Sequence, residues 1–160
     1  MGETEKYVHI LEESLQKKIE LLNQIEEKTL EQKVILEQEL TDLDAWECNI
    51  EEKGELLEEL NLLDTGFQGI YDRIGTELID HKQVYATSIQ NLQKAIKIIT
   101  EKAVSIQVKE NQNKVLAEKR FAQLHQRTRE KKVASNVATK YYQTMSKLQH
   151  MDAQFMDRKK

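Results

Sequence analysis

The chain has 160 residues, of which 39% are apolar, 32% charged and 6% aromatic, and a net charge of −4. With no proline and only 5 glycines, almost nothing in it removes a backbone donor or opens positive φ inside a helix, so long uninterrupted helices are expected. No apolar run approaches the roughly 20 residues of a membrane span, and the apolar residues recur too regularly for a disordered chain.

A first helix is predicted from Thr4 to about Glu39, its stripe running through Val8, Leu11, Leu15, Leu22, Ile25 and Leu36 in helical steps. Glu3 and Glu5 complement its N-terminal dipole. Thr41 and Asp42 mark a break, with Thr41 and Asp44 spaced like a capping box. A second helix follows through Leu43, Trp46, Ile50, Leu56 or Leu57, Leu60 and Leu63, its apolar face interrupted at Lys53 and Gly54. Asp64-Thr65-Gly66 reads as its stop, which would place the first two helices antiparallel.

The third helix is read from Phe67 through Ile70, Ile74 and Leu78, then Tyr85, Ile89, Leu92, Ile96, Ile99, Ala103 and Ile106. From Tyr85 the steps alternate four and three, the spacing of a knobs-into-holes seam, so this helix is expected to be the spine. Beyond Ile106 the seam positions hold Glu110, Asn113, Ala117 and Arg120, which predicts a more exposed or mobile stretch. The C-terminal segment recovers an apolar face at Val137, Tyr141, Met145, Leu148, Met151 and Phe155. Methionines are flexible and polarisable, so this face is either packing for the spine helix or a surface for a partner helix.

These elements give an all-α fold: an elongated antiparallel helical hairpin and coiled-coil bundle of three to four helices with one long spine helix. Residues 1–130 would form the bundle and residues 131–160 an amphipathic, basic C-terminal helix. Residues 1–60 carry 18 acidic and 6 basic side chains, and residues 113–160 carry 4 acidic and 12 basic. The opposite signs either meet within the bundle or offer the basic tail to an acidic partner. Nucleic acid is disfavoured, since Arg127, Arg129, Lys131 and Lys132 form one short cluster without a stacking platform.

Candidate chemistry is sparse. The residues three before His9, His81, His125 and His150 are Lys6, Leu78, Ala122 and Lys147, so the Glu-x-x-His pairs of a di-metal bundle are missing. Gly66, Gly69 and Gly75 lack the Lys-Ser/Thr ending of a phosphate loop. Cys48 stands among Glu47, Glu51 and Glu52, whose charges would suppress its thiolate. No enzyme activity, cofactor, metal or small-molecule substrate is expected. The N-terminal residues lack a secretory pattern, Lys6 departs from the myristoylation motif, and the single cysteine suits a reducing compartment, so a cytoplasmic setting is expected.

The stretch Leu43-Asp44-Ala45-Trp46, Ile50 through Asn61, then Leu63-Asp64, Gly66-Phe67 and Tyr71-Asp72-Arg73 resembles flagellar export chaperones of the FlgN type, in their clostridia-like form. Weaker similarity continues at Ile98 to Gln107, Ala134-Ser135-Asn136 and Tyr141-Tyr142. The resemblance implies a bacterial cytoplasmic chaperone. Such a protein binds the C-terminal helices of hook-filament junction proteins and delivers them to the type III export apparatus. In that family the C-terminal part carries much of the client contact, which would fall here on Val137, Tyr141, Met145, Leu148, Met151 and Phe155. The alternative is a structural coiled-coil tether or scaffold, favoured if the Tyr85 to Ile106 seam joined two copies rather than lying inside one. The sequence leaves the choice between monomer and dimer open.

Overall fold

A computed structural model describes residues 2–124 and 136–145. Three long helices make up most of it: α1 (Glu3–Glu37), α2 (Leu43–Asp80) and α3 (Ala86–Gln123). A shorter helical segment, α4, occupies residues 136–145. The fold is all-α.

The first turn is where the sequence places it, although the capping residue differs by one. Asp42, not Thr41, caps α2: its carboxylate accepts from the Ala45 amide at 3.1 Å. At the other end of α1 the Arg120 guanidinium donates to the Leu36 carbonyl at 2.8 Å, placing a cation on the negative end of the helix dipole.

The expected stop at Asp64-Thr65-Gly66 does not occur, and α2 runs straight through it. Each residue that signals a stop finds a use inside the helix. Asp64 turns inward and pairs with Lys18 of α1 at 2.8 Å. Thr65 donates its hydroxyl back to the Asn61 carbonyl at 3.0 Å, and no glycine among the described residues takes a positive φ. The chain turns instead at residues 81–85, where the apolar stripe lapses between Leu78 and Tyr85. A helical glycine costs about 0.5–1 kcal/mol relative to Ala, and a Cβ at Gly66 would meet nothing within 4 Å. Gly66→Ala should therefore stabilise the protein by about that amount in urea unfolding, whereas a true turn at Gly66 would make it destabilising.

Registers follow from paired residues. Glu3 meets Arg73, Lys18 meets Asp64, and the Asn49 side chain reaches the Lys28 carbonyl, so α1 and α2 are antiparallel. Thr29 meets Glu110 and Leu36 meets Arg120, so α1 and α3 are parallel. Trp46 meets Phe121 edge to face at 4.9 Å, which closes an up-down-up bundle at its loop end. The closely packed pairs are α1 with α2 and α1 with α3. The spine is thus α1, not the third helix. The seam on α3 is internal all the same, with Leu92, Ile96, Ile99 and Ile106 buried.

The stretch beyond Ile106 is also buried, contrary to the sequence expectation. Glu110 is 0% exposed and Asn113 2%, followed by buried Ala117 and Phe121. Their partners on α1 and α2 explain why, and those partners form the centre of the candidate site.

Candidate functional site

Nearer the α1–α2 turn than the 81–85 turn, the apolar core of the bundle gives way to a polar layer built from every helix. Lys53 of α2, unpaired in any one-helix view, ion-pairs with Glu110 of α3, and both side chains are fully buried. The Lys53 ammonium also donates to the Gln32 side-chain carbonyl of α1 at 3.2 Å and lies 4.3 Å from the centre of the Tyr141 ring of α4. Its three directions are therefore occupied by an anion, an amide and a π face.

Glu110 Oε1 is equally crowded. The Tyr141 hydroxyl donates to it at 2.7 Å. The Thr29 hydroxyl lies 2.7 Å from this oxygen and 2.7 Å from the Ile25 carbonyl, and its single hydrogen serves one of them at a time. Asn113 completes the layer by donating to the Thr29 carbonyl at 2.9 Å and to Gln32 at 3.0 Å. Glu110 Oε2 and Gln32 Nε2 are buried without a hydrogen-bond partner among the described residues.

The electrostatics of the layer are set by burial. Desolvation outweighs the attraction of Glu110 and brings the Lys53 ammonium down to about 8 from its usual 10.5. The Tyr141 phenol is pushed well above its usual value, by burial first and by the Glu110 charge second. Tyr142 moves the same way for the same two reasons.

Over this layer lies α4. Ala138, Tyr141 and Met145 are buried, Tyr142 stacks edge to face on Tyr141 at 5.4 Å, and Lys114 of α3 stands 5.8 Å from the Tyr142 ring. Ala138 shares a small cavity with Ala117 and Phe121 while Tyr141 reaches back to Glu110, so α4 runs antiparallel to α3. It lies between α2 and α3, the two helices that are less closely packed on each other. Toward the 81–85 turn these helices border an open cavity of about 410 Å³ with Leu78, Ile79 and Ile89 in its walls.

The candidate face at Val137, Tyr141, Met145, Leu148, Met151 and Phe155 is thus only partly placed. Tyr141 and Met145 point into the groove and are buried, and Val137 is half-buried at its edge. Leu148, Met151 and Phe155 lie outside the described residues. The inward turn of α4 is set by Ala138 rather than Val137, a residue too small to register in an apolar stripe read from bulky side chains. The polar partners Thr29, Gln32, Lys53, Glu110 and Asn113 went unread as a group because each looks like an interruption on its own helix.

Elsewhere the chemistry is quiet. Cys48 is exposed, and its thiol donates to Glu52 at 3.1 Å, a hydrogen bond that with the carboxylate's charge raises its pKa. Among the described residues no three His, Cys, Asp or Glu side chains converge as metal ligands. None of their helices is long and apolar enough to cross a membrane. No protein-family profile, no curated protein and no solved structure matches this chain.

Proposed function

We propose that this protein is an export chaperone that holds amphipathic helices, namely the C-terminal segments of hook-filament junction proteins bound for the flagellar type III apparatus. The observation that carries this reading is the seat of α4. An amphipathic helix, described over residues 136–145, lies along the groove between α2 and α3 with Tyr141 and Met145 turned inward. A bundle that accepts one such helix along a groove has the geometry for helix-in-groove recognition. Tyr141 and Met145 fill the groove in the free chain, so a client helix takes the groove by displacing α4 from its seat. The resemblance at Trp46, Lys53-Gly54, Gly66-Phe67 and Tyr71 supplies the choice of client.

Calorimetry of the full chain against C-terminal segments of hook-filament junction proteins from the same organism tests the reading, with the flagellin C-terminus as comparison. One-to-one binding at micromolar or tighter Kd is expected for the junction segments. Absence of heat with any of them, from a sample that is helical by circular dichroism, would overturn it.

A second reading has one observation in its favour. Val104, Val108 and Val115 stand on the outer face of α3, opposite its buried stripe and more than half exposed, at spacings of four and seven that suit a seam between copies. A scaffold built on that seam would sediment as a concentration-dependent oligomer. The chaperone reading predicts a monomer whose mass is unchanged by Val108→Lys.

A further inference from the structure

The ten described residues of α4 seat on the bundle through Ala138, Tyr141 and Met145, all of them buried. The seat that stabilises them is not uniformly apolar. Ala138 and Met145 are buried on either side, but between them the groove presents the fully buried carboxylate of Glu110, one oxygen of which accepts a hydrogen bond from the Tyr141 hydroxyl at 2.7 Å. Lys53, also fully buried, is already engaged with Glu110, Gln32 and the face of the ring. An apolar helix in this seat would leave Glu110 short of a donor, and a buried charged group that loses a partner is costly.

From this we infer that the groove between α2 and α3 selects its partner helix by a hydrogen-bond donor. The occupant is an amphipathic helix with a phenol or other neutral donor at the inward position that Tyr141 holds, a small residue one turn before it and a flexible apolar residue one turn after. That helix and α4 compete for Glu110, which is the specificity-determining residue of the seat. The inference rests on the chaperone reading for the source of the helix, while the chemistry of the seat stands on this chain alone.

The probe is a fluorescent peptide with the sequence of residues 134–147, in its natural form and with Phe in place of Tyr141, titrated by anisotropy into full-length protein. Wild-type protein holds its own α4 at an effective concentration on the order of millimolar and should bind the natural peptide poorly. The full-length Tyr141→Ala variant, whose own helix has lost its donor, should bind it at least about ten times more tightly. On that variant the Phe peptide should bind about ten- to a hundred-fold more weakly than the natural one, as expected for loss of a hydrogen bond to a charged acceptor. With Lys53→Met and Glu110→Leu added, the preference for the natural peptide should disappear.

Equal affinity of the two peptides for the Tyr141→Ala chain, or no saturable binding of either, would overturn the inference. If circular dichroism shows that chain to be unfolded, the full-length Met145→Ala variant takes its place, since it loosens α4 while leaving the Glu110 layer intact. Junction-protein segments that fail to bind beside a natural peptide that binds as predicted would overturn the chaperone reading and leave the seat assigned. Segments that bind beside two indistinguishable peptides would overturn the donor requirement alone.

Discussion

Lys53→Met or Glu110→Leu, each made alone, should lower the unfolding free energy by about 3–5 kcal/mol, because either change leaves an uncompensated charge in the interior of the bundle. Both side chains are fully buried and paired with each other, so neither has water to turn to. The triple change Lys53→Met, Glu110→Leu, Tyr141→Phe should recover most of that loss or exceed wild-type stability, since similarly shaped apolar groups escape the desolvation cost. Asn113 and Gln32 keep each other, and Thr29 keeps the Ile25 carbonyl, so the triple variant orphans few polar groups. Urea unfolding of the four proteins decides the matter. Single variants within about 1 kcal/mol of wild type would mean that the layer is wet and weakly coupled.

The second large effect is on pH. In the unfolded chain Lys53 titrates near 10.5, and in the folded chain near 8. Between those values the unfolded state binds the proton that the folded state has released, so stability rises with pH across that window. Below 8 both states are protonated and the burial penalty is present in full. The gap from 10.5 to about 8 corresponds to roughly 3 kcal/mol. Tyr141 acts in the opposite sense: its folded pKa is raised, so above about pH 10 the unfolded chain loses a proton that the folded chain keeps, and stability falls. The stability curve should therefore climb from pH 8 and peak near pH 10. The climb should be absent from the triple variant. A flat or falling curve over that range in the wild-type chain would show that Lys53 is not desolvated.

Much of the fold was legible because its signals are local or periodic. The stripe from Leu92 to Ile106 gave the register of α3, and the break near Thr41 gave the first turn. The second turn was misplaced because Asp64, Thr65 and Gly66 have turn-forming chemistry, yet Asp64 is claimed by Lys18, which lies 46 residues away in sequence. The better signal was that the stripe position between Leu78 and Tyr85 falls on His81 or Lys82, neither of them apolar.

The polar layer was hidden for a related reason. Lys53 breaks the stripe of α2 and Glu110 breaks that of α3, and a one-helix reading turns each break into exposure. Only when the short first loop fixes the register of α1 against α2 do Thr29, Gln32 and Lys53 fall at one level, where the parallel α3 adds Glu110. A charge of each sign at seam positions of two helices is the pattern that could have disclosed it.

The measurement that bears most directly on the groove as a client seat is amide hydrogen exchange of the full chain with and without a hook-filament junction segment. The account predicts that exchange at residues 136–145 speeds up when the segment binds, as α4 leaves Glu110, while α2 and α3 on either side of the groove stay protected. Protection of residues 136–145 that is unchanged in a saturated complex would contradict it and place the client elsewhere on the bundle.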